Sequence, residues 1–168
     1  SSGQVLVYSL ETGRLRLEFG APSWRLQRAL LSPDGLCIAA TGQDRLVRIF
    51  EAETGTLLSS LSCHRGLVRF ARFSPDGRLL LTAGDDRTVR LSRLDALNRS
   101  QVWASADSPL ISADWSPAAE HVVCATSERR LELRDPATGR LLHLMQKCDQ
   151  PIVTLQAVPV LGRLVVGL

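Results

Sequence analysis

His64, His121 and His143 are the histidines of this 168-residue chain, and Cys37, Cys63, Cys124 and Cys148 are its cysteines. Binding a metal would need such donors at short, repeated spacings, such as a CxxC pair, and these seven residues show none. Nucleophilic hydrolysis would need a serine on a Gly-x-Ser-x-Gly elbow, and no serine here has that frame. Asp85 and Asp86 could hold a cation, or Asp86 could orient His64 as a base. The competing assignment makes Asp86 the support of a tight turn, with Asp85 solvated beside it. The glycines punctuate turns and open no helix, so they form neither a phosphate cradle nor a dinucleotide fingerprint. Acid, base and nucleophile do not converge, and the sequence predicts a protein that is not an enzyme and uses no cofactor or metal.

Composition narrows the class. Hydrophobic residues make up 45% and charged residues 22%, which excludes a disordered chain. No apolar run approaches the roughly 18 residues of a membrane-spanning helix, so no membrane role is expected. The net charge is +3, and Lys147 is the only lysine, so the basic charge is nearly all arginine. Arginine suits bidentate contacts to carboxylate or phosphate. Here it is scattered among Asp and Glu rather than gathered in the stripe of a nucleic-acid binder. Cys37 and Cys124 lie in apolar runs as small hydrophobes, and four cysteines without a framework suit a reducing, cytoplasmic setting.

The elements that position these residues repeat. Val5-Leu6-Val7-Tyr8, Val47-Arg48-Ile49-Phe50, Val89-Arg90-Leu91-Ser92 and Leu131-Glu132-Leu133-Arg134 start 42 residues apart. Ser32-Pro33-Asp34-Gly35 recurs as Ser74-Pro75-Asp76-Gly77 and, worn, as Trp115-Ser116-Pro117. Thr-Gly turns follow at Thr12-Gly13, Thr54-Gly55 and Thr138-Gly139, whereas the third copy reads Asp95-Ala96-Leu97-Asn98. Between the turns lie short β-rich pieces. Some alternate, as a half-covered strand does; others, such as Leu79-Leu80-Leu81, are apolar throughout, as a strand covered on both faces is. Four short strands per period predict an all-β fold built of propeller blades.

On these motifs the chain resembles the WD40 repeat family from end to end. The third copy carries the resemblance best: Cys63-His64 for Gly-His, Ser74 to Gly77, Thr82, Asp86, and Ser92-Arg93 for Trp-Asp. The resemblance implies a WD40-type β-propeller of four antiparallel strands per blade. It also implies a structural tetrad of His64, Thr82 and Asp86, with Ser92 in place of Trp. The second copy keeps Asp44 with Ala40 at the Thr position, and the fourth offers Cys124 and Glu128. Residues 1–168 then form one propeller segment. Strands c–d of one blade span 4–19, full blades span 25–61, 67–104 and 110–145, and strands a–b of a final blade span 151–168. The two half-blades together make a fourth blade equivalent. WD40 wedges suit rings of seven or eight, so a segment of a larger ring is expected. The alternative is two chains closing an eight-bladed ring head to tail.

In the family the d–a and b–c loops share one rim, which here would carry Trp24, Arg25, Arg45, Arg65, Arg87, Arg129 and Arg130, with Gln43, Asp85 and Asp107. Trp with several Arg has the composition of an interaction hot spot, although Trp24 could instead fill the gap left by a missing His. The resemblance implies a non-enzymatic protein–protein interaction scaffold in a larger intracellular assembly. Similarity to large centriolar and ciliary WD-repeat proteins points to cytoskeletal partners, including tubulin. The alternative is nucleic-acid or ribonucleoprotein association through the arginine-bearing rim.

Overall fold

The computed structural model describes residues 3–95, 100–104, 108–116, 120–158 and 163–167. Their regular structure is β-strand apart from a single-turn 3₁₀ helix, Pro22–Trp24. β1 (Gln4–Tyr8) pairs with β2 (Leu15–Gly20). Three four-stranded antiparallel sheets follow, each ordered as in the chain. The first comprises β3 (Leu26–Leu31), β4 (Cys37–Gly42), β5 (Val47–Glu51) and β6 (Leu57–Leu61). The second comprises β7 (Val68–Phe73), β8 (Leu79–Gly84), β9 (Thr88–Arg93) and β10 (Ser100–Ala104). The third comprises β11 (Leu110–Trp115), β12 (Val122–Thr126), β13 (Arg130–Arg134) and β14 (Leu141–Lys147). β15 (Thr154–Val158) and β16 (Arg163–Gly167) close the series as a separate pair. Each of the three four-stranded sheets is an antiparallel meander, the blade form that the sequence period predicts.

The Ser-Pro-Asp-Gly turns are built identically. Ser74 Oγ–H donates to Asp76 Oδ1 at 2.5 Å and accepts the Leu79 N–H at 2.9 Å, while Asp76 Oδ1 accepts the Arg78 N–H at 3.1 Å. Gly77 supplies the φ of 72° that closes the hairpin. Ser32, Asp34 and Gly35 repeat the arrangement, with Ser32 Oγ to Asp34 Oδ1 at 2.5 Å and a Gly35 φ of 76°. The lost Thr-Gly of the third copy lies mostly at 96–99, outside the described residues.

Each apolar core lies between two sheets. Ala39, Val47 and Ile49 of the first sheet pack with Val68, Ala71, Phe73 and Leu80 of the second. Leu81, Ala83, Val89 and Leu91 pack with Leu110, Ala113, Trp115 and Val122 of the third. The third sheet meets the last pair through Val123, Ala125, Leu131, Ile152 and Leu155. The first pair meets the first sheet through Val5, Ile38, Ala40 and Phe50. The strands between are therefore covered on both faces, as the unbroken apolar runs predict. One ion pair, Arg72 to Asp114 at 3.3 Å, crosses from β7 to β11.

Packing should then outweigh the turns. Leu81→Ala, at a site with no exposed surface, should cost about 3 kcal/mol, against about 1 kcal/mol for Ser74→Ala. Urea denaturation of both variants checks the ratio.

Candidate functional site

In the second sheet, the loop before β7 carries His64 over the b–c turn. Its side chain is fully enclosed, with Nε2 2.8 Å from Thr82 Oγ1 and Nδ1 3.0 Å from Asp86 Oδ1. Asp86 also accepts the Thr88 hydroxyl at 2.7 Å and the Arg65 N–H at 2.8 Å. Burial of His64 outweighs the pull of Asp86 and lowers its pKa below 6.5, so the ring is neutral at pH 7. With a carboxylate at Nδ1, the proton sits there, and Nε2 accepts the Thr82 hydroxyl. Burial alone would raise the Asp86 pKa. Hydrogen bonds from Thr88, His64 and the Arg65 amide overcome it and bring the value to about 2. Every member of this group has its hydrogen bonds met within the fold, so the group holds a turn and offers no free base. Ser92, which stands where the family has Trp, is fully buried, and its Oγ has no partner among the described residues.

The neighbouring sheets answer the same geometric demand with other chemistry. Asp44 occupies the Asp86 position, and Arg48 on β5 holds it bidentately at 2.6 and 3.2 Å. Trp24 is half-buried and lies against this pair, with the Arg48 guanidinium 4.4 Å from its ring centre and Phe50 at 5.8 Å. Trp24 thus fills the space over the turn and is part of the packing. In the third sheet, Glu132 and Arg134 form a buried pair at 2.7 Å, and Arg134 also donates to the Gly139 carbonyl at 2.9 Å. Cys124 stands where Thr82 would, its thiol pushed by burial to about 12 and so inert at neutral pH. Glu128 pairs with Arg130 at 3.0 Å nearer the surface.

Two glycines let the d–a loops pass this closely. A Cβ on Gly42 would lie 2.4 Å from the Trp24 carbonyl oxygen, and one on Gly84 2.8 Å from His64 Nδ1. They stand 42 residues apart and mark the same crossing. Sequence reasoning passed over them, and over Arg48, Glu132 and Arg134. The available signal was a column of charge, Arg48, Arg90 and Glu132, at one register of strand c.

The arginines assigned to the rim lie in the turns and loops between strands, with Arg130 at the start of β13. Arg45, Arg87 and Arg129 occupy equivalent turn positions with φ of 67°, 63° and 66°, and Arg25 has φ 44°. Arg45 Nη1 donates to the Arg65 carbonyl at 3.3 Å and Arg129 Nη1 to the Asp149 carbonyl at 2.5 Å, each reaching the next loop along. Asp107, also assigned to this rim from the sequence, is outside the described residues. Asp44, Asp85 and Glu128 are engaged by Arg48, Arg69 and Arg130. Among the described residues this leaves Arg25, Arg45, Arg65, Arg87 and Arg129 exposed without an ion-pair partner. No cluster of three or more metal-ligating side chains occurs among the described residues. Among the described residues no helix is long and apolar enough to cross a membrane.

Antiparallel four-stranded sheets packed face to face define this as a propeller-type repeat protein. Residues 55–91 match the family model of the WD domain, G-beta repeat. That stretch, which includes β6 through most of β9 and the His64–Thr82–Asp86 group, is a WD40 repeat. A search of curated proteins gave no match. WD40 repeats mediate protein–protein interaction and are typically non-enzymatic.

Acid should weaken the fold in two steps. His64 and Asp86 both bind protons less readily folded than unfolded, so stability is lost as pH falls. The His64 contribution fades below pH 6.5, and that of Asp86, about 2 kcal/mol, from about pH 4 down to about 2. Urea midpoints from pH 7.5 to 3 should show both limbs, with His64→Gln flattening the upper and Asp86→Asn the lower. Thr41→Val and Ser92→Ala remove buried hydroxyls that lack partners among the described residues, and should leave stability unchanged or raise it by up to about 1 kcal/mol. A melting series on the two variants checks the sign.

Proposed function

We propose that the chain is a non-enzymatic scaffold whose arginine-bearing rim receives an acidic stretch of a protein partner. The observation that carries this is the repeated placement of arginine in left-handed turns at Arg45, Arg87 and Arg129. A side chain there costs about 1 kcal/mol that glycine would avoid, so the position sacrifices backbone ease for a presented guanidinium. Nη1 of Arg45 and of Arg129 is tied to a neighbouring loop, which limits the entropy lost when the remaining donors bind. Asp44, Asp85 and Glu128 are engaged by Arg48, Arg69 and Arg130, so they do not neutralise the five loop arginines. Such a surface steers and orients acidic partners.

The setting is part of the same proposal. An acidic peptide, or the acidic surface of a filament built of tubulin, would suit this rim, in a cytoplasmic, cytoskeletal assembly such as a microtubule, centriole or cilium. What supports it is charge complementarity together with the packing of the rim on a rigid scaffold.

Fluorescence anisotropy with a glutamate-rich peptide tests the proposal, beside a single-stranded RNA of equal charge. Arg25→Glu/Arg65→Glu should weaken peptide binding about tenfold or more while the circular dichroism stays unchanged. Peptide affinity that survives the double variant would place the contact elsewhere. Tighter binding of the RNA, falling steeply with salt, would replace the acidic-peptide reading with nucleic-acid association.

A further inference from the structure

Arg45 lies in the turn between β4 and β5, and Arg65 in the loop between β6 and β7. They meet at the junction of the first and second sheets, where Arg45 Nη1 donates to the Arg65 carbonyl at 3.3 Å. On its other side the Arg65 N–H donates to Asp86 Oδ2 at 2.8 Å. The loop is seated so closely that a Cβ on Gly66 would lie 2.8 Å from the Asp86 amide nitrogen. Both arginines are exposed, and neither has an ion-pair partner among the described residues.

We propose that this junction receives one phosphorylated side chain, a phosphoserine or phosphothreonine within the acidic stretch of the partner. The inference rests on the reading of the rim as an acidic-peptide surface, and it narrows that reading to one position and one chemistry.

The repeat singles the junction out. Arginine recurs in the left-handed turn at Arg45, Arg87 and Arg129. The loop position that Arg65 occupies does not repeat its charge. One period back it is Ser23, and one and two periods on it is Asp107 and Asp149. Asp107 is outside the described residues, but Asp149 allows a direct comparison. Arg129 Nη1 donates to the Asp149 carbonyl at 2.5 Å, the same backbone contact that Arg45 makes with Arg65. The crossing is thus built twice with the loop charge reversed. Arg129 stands beside a carboxylate, whereas Arg45 stands beside a second guanidinium.

Nearby acids do not cancel the pair. Arg48 holds Asp44 through both oxygens, and Arg69 holds Asp85 in the same way at 2.7 Å. The segments that meet here, 43–48, 64–69 and 84–88, carry five arginines against three aspartates, and His64 is neutral. The excess of two positive charges matches a phosphate monoester, which carries about −1.5 to −2 at pH 7. A carboxylate would answer only one of them. Guanidinium groups bind phosphate oxygens through paired N–H donors, and three such oxygens can take donors from two arginines at once. With Nη1 on the Arg65 carbonyl, Arg45 still presents Nε and Nη2, and Arg65 presents its whole guanidinium. The backbone of Arg65 is anchored through both its N–H and its carbonyl, which limits the order still to be imposed on binding.

Fluorescence anisotropy of the whole chain tests the assignment with peptides of one acidic sequence carrying serine, glutamate or phosphoserine at the central position. The phosphoserine peptide should bind about tenfold more tightly than the glutamate peptide. Arg65→Gln should shrink that ratio to about twofold or less, and so should Arg45→Gln, with circular dichroism unchanged. Arg78→Gln removes one charge from the turn between β7 and β8, at the far end of the second sheet, and should keep the ratio. Equal affinity for the glutamate and phosphoserine peptides would overturn the phosphate site and leave the acidic-peptide rim standing. Failure of every peptide to bind would overturn both. A ratio that survives both arginine variants would place phosphate recognition elsewhere and overturn the assignment. So would a single-stranded RNA that binds as tightly as the phosphopeptide and weakens in the same variants, which would make the junction a nucleic-acid contact.

Discussion

Leu80 and Leu81 are neighbours on β8, and their side chains enter different cores. Leu80 sits with Ala39, Val47 and Ile49 of the preceding sheet, and Leu81 with Leu110, Ala113 and Val122 of the following one. Neither has exposed surface. This two-sided burial is the constraint on which the rest depends. A sheet covered on both faces has no freedom to slide or re-register, because a one-residue shift would exchange its two cores. The turns at its ends are therefore held at fixed positions, and so are the loops that cross above them.

Polar groups in those loops work within that frame. The close approach of a d–a loop to the b–c turn must be bridged at each sheet, and His64 with Asp86 does so in one while Arg48 with Asp44 and Trp24 does so in another. The third sheet draws its buried charge deeper, into Glu132 and Arg134 on strand c. Buried ion pairs contribute little net stability compared with apolar packing, but breaking one partner is costly. The three solutions thus differ in chemistry and agree in geometry. Arg45, Arg87 and Arg129 hold the same turn position beside each of them.

Much of the fold was legible in the chain because its signals are local. Ser74, Asp76 and Gly77 close a hairpin among themselves, and Leu79-Leu80-Leu81 announces a strand covered twice. The His64–Thr82–Asp86 group could be placed from its likeness to the family pattern. Arg48 and Glu132 could not be placed this way. Each alternates with apolar residues along its strand, a pattern that normally sends charge to solvent. Over Arg48 lies a neighbouring element, Trp24, a contact that depends on tertiary geometry, while Glu132 is buried with Arg134 two residues on along the same strand. Trp24 was ambiguous for the same reason, since its contacts with Arg48 and Phe50 are tertiary.

The differing polar bridges have an implication for how such a chain can change. Repeats of one length look like interchangeable modules, yet each sheet here shares its faces with two unlike neighbours and spans its rim with its own set of charges. Transplanting the second sheet into the place of the first would bring His64 but remove the Trp24–Phe50–Phe19 stack that seats the preceding pair. The units have become specific to their addresses. Variation can proceed within a sheet and at its rim, while duplication or exchange of whole sheets would break two cores for every unit moved.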